Sequence, residues 1–247
     1  MKDEQLLRYS RQIMLPQMDV AGQQKLIDAT VLIVGMGGLG CPAAMYLAAA
    51  GVCHLIIADD DVVELTNLQR QVAHSHSMIG QPKVVSARKT LLGLNPDLKI
   101  TALQERLVGA NLSEAVSKAD LVLDACDNFT SRFAINAACI EHRKPLVSGA
   151  AIRMEGQIAV FDSRNPNSPC YQCLYSLGDD EDASCSENGV MAPLVGIIGA
   201  VQAMETIKLL TGIGESLTGR LLLLDASTLQ WREMRLPRDS NCGACSG

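Results

Sequence analysis

Four cysteines occur as two Cys-x-x-Cys pairs, Cys170/Cys173 and Cys242/Cys245, in distant parts of the chain. Thiolates at this short spacing both reach one ion at about 2.3 Å, so the two pairs together make a closed tetrahedral zinc site. Such a site ties the C-terminal end to the middle of the chain. Two redox dithiols or unrelated core cysteines are the alternatives, and the polar, turn-forming flanks Asn167, Pro169, Asn241 and Gly243 favour the metal. A second chemistry lies in Gly35-x-Gly37-Gly38-x-Gly40. Glycines let a phosphate approach the backbone, and a helix that opens there attracts anions with its N-terminus. Asp59 stands about where an acidic side chain accepts hydrogen bonds from ribose hydroxyls, which serves NAD and ATP equally.

The stretch Asn67-Leu68-Gln69-Arg70-Gln71, followed by Lys83, favours a triphosphate, with Arg70 forked onto oxygens and Lys83 as a point charge. A nicotinamide site has less use for them, although the ordinary fate of an isolated Lys or Arg is a solvated surface. Asp124 and Asp127 lie in Asp-Ala-Cys-Asp-Asn. One carboxylate there can hold Mg²⁺ between phosphates, and the competing role is a helix cap, for which Asp127, Asn128 or Thr130 is suited. Cys185 falls in an acidic stretch whose Asp182 and Glu187 raise a thiol pKa and disfavour a reactive thiolate. Cys41, Cys53, Cys126 and Cys139 read as small apolar residues, and the four histidines have no metal or triad spacing.

Residues of this kind need strand ends to hold them. Apolar spacing predicts an N-terminal helical arm over 3–14 and 19–28, which carries Arg8 and Arg11. Strands are predicted at 30–34, 54–58, 99–103, 120–123 and 145–148, with helices at 41–50, 83–94 and 131–141. Strands alternating with helices imply a parallel sheet with right-handed crossovers. After Gly149 the pattern changes: strands at 157–161, 220–224 and 230–235 suit an antiparallel extension. A long helix from about 191 to 210 is apolar on most faces, so it belongs in the core or a subunit interface. The expectation is an α/β, Rossmann-like, mainly parallel sheet extended by antiparallel strands, with helices on both faces and a structural zinc site. It forms a single domain over 1–247: an arm at 1–29, a nucleotide-binding half at 30–150, and an extension with the zinc site at 151–247.

Composition narrows the function classes. With 21 Lys+Arg against 27 Asp+Glu the net charge is −6, which argues against nucleic acid or anionic membrane as a partner. The start of the chain has no apolar signal-like run, and Pro193, Gly196, Gly199 and Gln202 interrupt its longest apolar stretch, so neither signal peptide nor membrane span is expected. Nine cysteines, an odd number with four in metal spacing, point to a reducing, cytoplasmic compartment.

Taken in order, Arg8-Tyr9-Ser10-Arg11-Gln12, the glycine turn, Asn67 to Gln71, Gly80-Gln81-Pro82-Lys83, Asp127-Asn128, Ser148-Gly149-Ala150-Ala151 and both cysteine pairs resemble the ubiquitin-activating-like sulfur-carrier adenylyltransferases (HesA/MoeB/ThiF). The resemblance covers nearly the whole chain. It implies Mg·ATP-dependent adenylation of the C-terminal glycine carboxylate of a ubiquitin-like carrier ending in Gly-Gly, giving acyl-adenylate and pyrophosphate. A sulfurtransferase or cysteine desulfurase then acts downstream. Gly38, Asp59, Thr66, Asn67, Leu68, Gln69, Arg70, Lys83, Asp127 and Asn128 are implied to bind ATP, with Asp127 on Mg²⁺ and Arg70, Lys83, Asp127 and Arg11 serving catalysis. Arg11 is implied to reach the neighbouring subunit's site, hence a homodimer. Cys170, Cys173, Cys242 and Cys245 are implied to bind Zn²⁺, and Cys185 to be a carrier-linked thiol in the thiamine-type relatives but dispensable in the molybdopterin type. Residues 148–157 and 191–194 look like the molybdopterin type, which is preferred, whereas 58–61 and 103–107 look like the thiamine type; one enzyme serving both carriers is the third option. The rivals from other classes are an NAD-dependent oxidoreductase and a zinc-stapled nucleotide sensor.

Overall fold

In the computed structural model, residues 1–175 and 189–246 are described. The strand β1 (Thr30–Val34) is a continuous branched apolar run, the pattern of a strand covered on both faces. Because side chains alternate, Val31 and Ile33 enter one core while Leu32 and Val34 enter the other. Strands β2 (His54–Ala58), β3 (Lys99–Leu103), β4 (Leu121–Asp124) and β5 (Pro145–Ile152) extend it in parallel. Antiparallel β6 (Glu155–Asp162), β7 (Arg220–Asp225) and β8 (Gln230–Arg235) follow. The order among the described residues is β3-β2-β1-β4-β5-β6-β7-β8.

On one face lie α3 (Asp19–Asp28), α4 (Gly40–Ala50), α5 (Lys83–Leu94) and the long α9 (Ala192–Thr211); α6 (Gly109–Ser117), α7 (Phe129–Glu141) and the short α8 (Tyr171–Leu174) cover the other. By length and apolar composition α9 could cross a bilayer, but half of the tested stretch is buried and the helix packs on α4, β5 and β6 as a core element. The predicted parallel sheet and its antiparallel extension are both present. Three local expectations need correction. The first arm helix breaks into α1 (Asp3–Arg8) and α2 (Ser10–Ile13) at Tyr9, whose buried ring turns inward so that its hydroxyl receives a bond from Asn95 Nδ2 at 2.9 Å. Helix α6 was not foreseen, although Leu112, Ala115 and Val116 give it a short buried stripe. Strand β5 runs four residues past the predicted Ser148, since β6 pairs with it along its whole length.

Candidate active site

The carboxyl ends of β1, β2 and β4 are level, with Val34 opposite both Ala58 and Asp124. Sheet order reverses between β1 and β4, the place where open α/β sheets receive ligands. A cleft of about 650 Å³ opens there, within the range of small-molecule sites. Its floor is the turn from Gly35 to α4. Gly35 has φ 97°, and a Cβ there would lie 2.7 Å from the Ala125 carbonyl oxygen. A Cβ on Gly40 would run into the Gly35 carbonyl, so both positions demand glycine.

Asp59 closes one side. Its Oδ2 accepts the Met36 N–H at 2.7 Å and its Oδ1 the Asp61 N–H at 2.9 Å, which ties the end of β2 to the glycine turn. Burial pushes its carboxyl above the usual range, against the opposing pull of Lys83 and the two N–H donors. The Lys83 ammonium, itself 7 % exposed, sits 2.7 Å from the Oδ2 of the exposed Asp61. Arg70 lines the same cleft and anchors by donating to the Thr66 carbonyl at 3.1 Å. Asp127 is exposed at the opposite wall beside Asn128. The cap of α7 is Asn128, whose Oδ1 accepts the Ser131 N–H at 2.9 Å while its Nδ2 donates to Asp127 Oδ1 at 3.3 Å; Asp127 itself is not the cap and lines the cleft.

Six of the residues expected to bind nucleotide thus meet around one space: Gly38, Asp59, Arg70, Lys83, Asp127 and Asn128. Thr66, Asn67, Leu68 and Gln69 form the turn leading to Arg70 and do not line it. Arg11 lies exposed on α2 and is not among the lining residues of its own chain's cleft. Cys185 lies outside the described residues. Asp124, offered with Asp127 as a cation ligand, is instead 1 % exposed and occupied: Oδ2 accepts Ser148 Oγ–H at 2.7 Å and Oδ1 the Cys126 N–H at 3.0 Å.

Gln71 and Arg132 also line the cleft, and the amino-acid sequence gives neither an individual role. Gln71 is buried, and its Oε1 has no hydrogen-bond partner. Arg132 is buried in α7, with its guanidinium against the loop after β4. Burial alone would lower its pKa, but the Asp124 carboxylate and Tyr171 beside it hold it above the ordinary arginine value. A signal existed for Arg132: it stands in phase with Ile135 and Cys139 on the buried stripe of its helix, where a charge calls for explanation.

The four cysteines converge away from the cleft. Cys170 and Cys242 are buried, Cys173 and Cys245 half-buried, and all four sulfurs lie within 4.8 Å of one another. The separations Cys170–Cys242 and Cys173–Cys245 are both 3.6 Å and Cys170–Cys173 is 3.9 Å. Sulfurs at the corners of a tetrahedron with about 2.3 Å metal bonds stand about 3.8 Å apart, so the donor set fits zinc. None of the described cysteines is in a disulfide. Cys41 and Cys139 are buried as expected, while Cys53 and Cys126 are only half-buried.

The ThiF family profile matches residues 9–244. The chain is 50% identical over 245 residues to a molybdopterin-synthase adenylyltransferase of Escherichia coli (strain K12), covering 99% of this chain and 98% of the relative. It is 47% identical over 247 residues to the sulfur carrier protein ThiS adenylyltransferase of the same organism, covering 100% and 98%. The crystal structure of E. coli MccB with ATP superposes with a TM-score of 0.82 over 96% of this chain and 76% of that one; at 20% identity it speaks for the fold alone. A profile match across almost the entire length, with the glycine turn, the acidic strand ends and the cysteine cluster in place, makes this chain a member of the ThiF family.

Proposed function

We propose that this chain is an adenylyltransferase that uses Mg·ATP to activate the C-terminal glycine carboxylate of a ubiquitin-like sulfur carrier. The observation that carries this is the convergence of the glycine turn, Asp59, Arg70, Lys83 and Asp127 on one cleft. In this reading Asp59 takes the ribose hydroxyls, the glycine turn and the N-terminus of α4 take phosphate, and Arg70 and Lys83 take triphosphate oxygens. Lys83 is preset at the rim by Asp61, an exposed carboxylate that phosphates can replace. Asp127 would hold Mg²⁺, which supplies neutralisation of phosphate charge. The carrier's carboxylate oxygen attacks the α-phosphorus, the bond to the bridging oxygen breaks, and pyrophosphate departs with that electron pair. Such a displacement requires alignment and charge neutralisation and no enzyme nucleophile.

Arg11 is exposed and does not line its own chain's cleft, which supports a homodimer in which it serves the partner's. Zinc held by four thiolates has no open position, so it supplies stability and not chemistry. Thiols kept as ligands fit a reducing, cytoplasmic setting. The continuous sheet supports reading the chain as one domain. An NAD-dependent oxidoreductase would use the glycine turn and Asp59 but leave Arg70, Lys83 and Asp127 without a purpose.

The preferred carrier is the small subunit of molybdopterin synthase, in line with the 50% relative; the 47% identity to the ThiS enzyme keeps the thiamine carrier as the second reading. A sulfurtransferase or cysteine desulfurase would act next, on the acyl-adenylate. The test is exchange of labelled pyrophosphate into ATP with each purified carrier in turn. Exchange with the molybdopterin-type carrier is expected, and its absence with every carrier would overturn adenylation.

A further inference from the structure

We propose that Arg132, together with Asp124, is a positioning residue for Asp127, an inference that rests on the adenylation reading of the cleft. The two groups form a buried pair, with side chains 9 % and 1 % exposed, yet Arg132 Nε stands 3.9 Å from Asp124 Oδ2. A pair built for mutual attraction would close to a bidentate contact. Here each partner instead bonds the chain between them, at shorter range than it meets the other. Arg132 Nη2 donates to the Cys126 carbonyl at 2.6 Å, and Asp124 Oδ1 accepts the Cys126 N–H at 3.0 Å. Both backbone polar groups of the residue immediately before Asp127 are therefore held by side chains.

The clamp is in turn fixed from three directions. Arg132 Nη2 also donates to the Gly149 carbonyl at 3.1 Å, which registers the loop against β5. Ser148 Oγ–H donates to Asp124 Oδ2 at 2.7 Å, and Gln202 Nε2 of α9 donates to the Asp124 carbonyl at 2.7 Å. On the far side of Asp127, Asn128 caps α7 with its Oδ1 and donates from Nδ2 to Asp127 Oδ1 at 3.3 Å. Asp127 is thus an exposed carboxylate between two immobilised neighbours. A metal-holding carboxylate works only if its direction is set before the ion arrives, and supporting groups of this kind tune affinity by about 10–100-fold. A buried guanidinium is costly, and a helix-to-sheet contact alone would be served by an apolar residue.

The experiment compares wild-type protein with Arg132→Lys and Asp124→Asn. Lysine keeps the charge but not the fork that reaches two carbonyls. Pyrophosphate exchange gives kcat and the KM for ATP. Electron paramagnetic resonance titration with Mn²⁺, in the presence of a non-hydrolysable ATP analogue, gives metal affinity independently of turnover. The expected result is a fall of about tenfold or more in both kcat and Mn²⁺ affinity, with the KM for ATP within about twofold. Folded variants that keep wild-type Mn²⁺ affinity overturn the proposal, whether or not kcat falls. If both variants fail to fold, Ser148→Ala removes one support of Asp124 and leaves the pair; a smaller loss of Mn²⁺ affinity sustains the proposal, and unchanged affinity overturns it. Absence of exchange in the wild type is a different result, since it removes the adenylation reading and the positioning role with it.

Discussion

The parallel half and the antiparallel half of the sheet hold their functional groups in opposite ways. In the first, the groups arrive on short loops at strand ends: Gly35 follows β1, Asp59 follows β2 and Asp127 follows β4. Their spacing comes from the sheet register, so each can be altered without dismantling what carries it. In the second, Cys170 and Cys173 meet Cys242 and Cys245 only because the chain returns past β8. There the group is the structure. The two halves are joined mechanically, since Tyr171, next to Cys170, receives a bond from Arg132 at 3.5 Å and donates its N–H to Asn136 of α7 at 2.9 Å. Tyr171 also packs edge-on against Phe133 and Phe161. The cysteine cluster thereby braces the helix whose start carries the Asp127–Asn128 wall of the cleft.

The sharpest way to test this contrast is Asp127→Ala. The side chain is exposed and the bond it accepts from Asn128 Nδ2 is long, at 3.3 Å, so its removal should shift the thermal midpoint little while exchange falls about a thousandfold, or roughly 4 kcal/mol of transition-state stabilisation. Full activity in that variant removes the metal role. Cys242→Ser should do the reverse: loss of zinc content and of about 4 kcal/mol in denaturant unfolding, with activity per folded molecule retained. A variant that loses activity while keeping its stability would mean the cluster is no mere frame. Gly35→Ala lies between the two, because strain at φ 97° and the clash with Ala125 should take about 1–3 kcal/mol from stability and weaken nucleotide binding as well.

The smallest effect expected is in pH dependence. Burial raises the pKa of Asp59, so its contribution to stability is full below the ordinary carboxylate range and is lost as pH rises through the raised value. Ribose binding needs the ionised acceptor, which places its demand in the opposite sense. Nucleotide affinity should therefore fall on acidification starting above the usual carboxylate range, and Asp59→Asn should flatten that limb. Calorimetric titration between neutral and mildly acid pH reads it, and an acid limb identical in both proteins would remove Asp59 from nucleotide binding.

Much of the cleft was legible before any coordinates because its parts are local. The glycine turn, the acid at the end of β2 and the Asp-Asn pair after β4 are each encoded within a few residues, and the alternation of strand and helix predicts that they share an edge. Tyr9 was hidden because a helical spacing does not reveal that one ring will leave the helix for Asn95 and the tight Gly51 corner. Gln71 does not stand out within its stretch of sequence, since orientation toward the cleft is a property of the turn and not of the residue.

From the sequence alone came the α/β class, the antiparallel extension, the cleft residues at the strand ends and the pairing of the four cysteines as one donor set. These follow from periodicity and from short spacings that fix geometry whatever surrounds them. Only the tertiary structure decided that Asp124 faces inward while Asp127 faces the cleft, and that Arg132 holds the residue between them. It likewise separated Arg70 from the turn that leads to it, and placed the cysteines beside α7 and away from the cleft. The reason is that burial and hydrogen-bond partners are non-local: two aspartates three residues apart read alike until the sheet, Ser148 and Gln202 are in place around one of them.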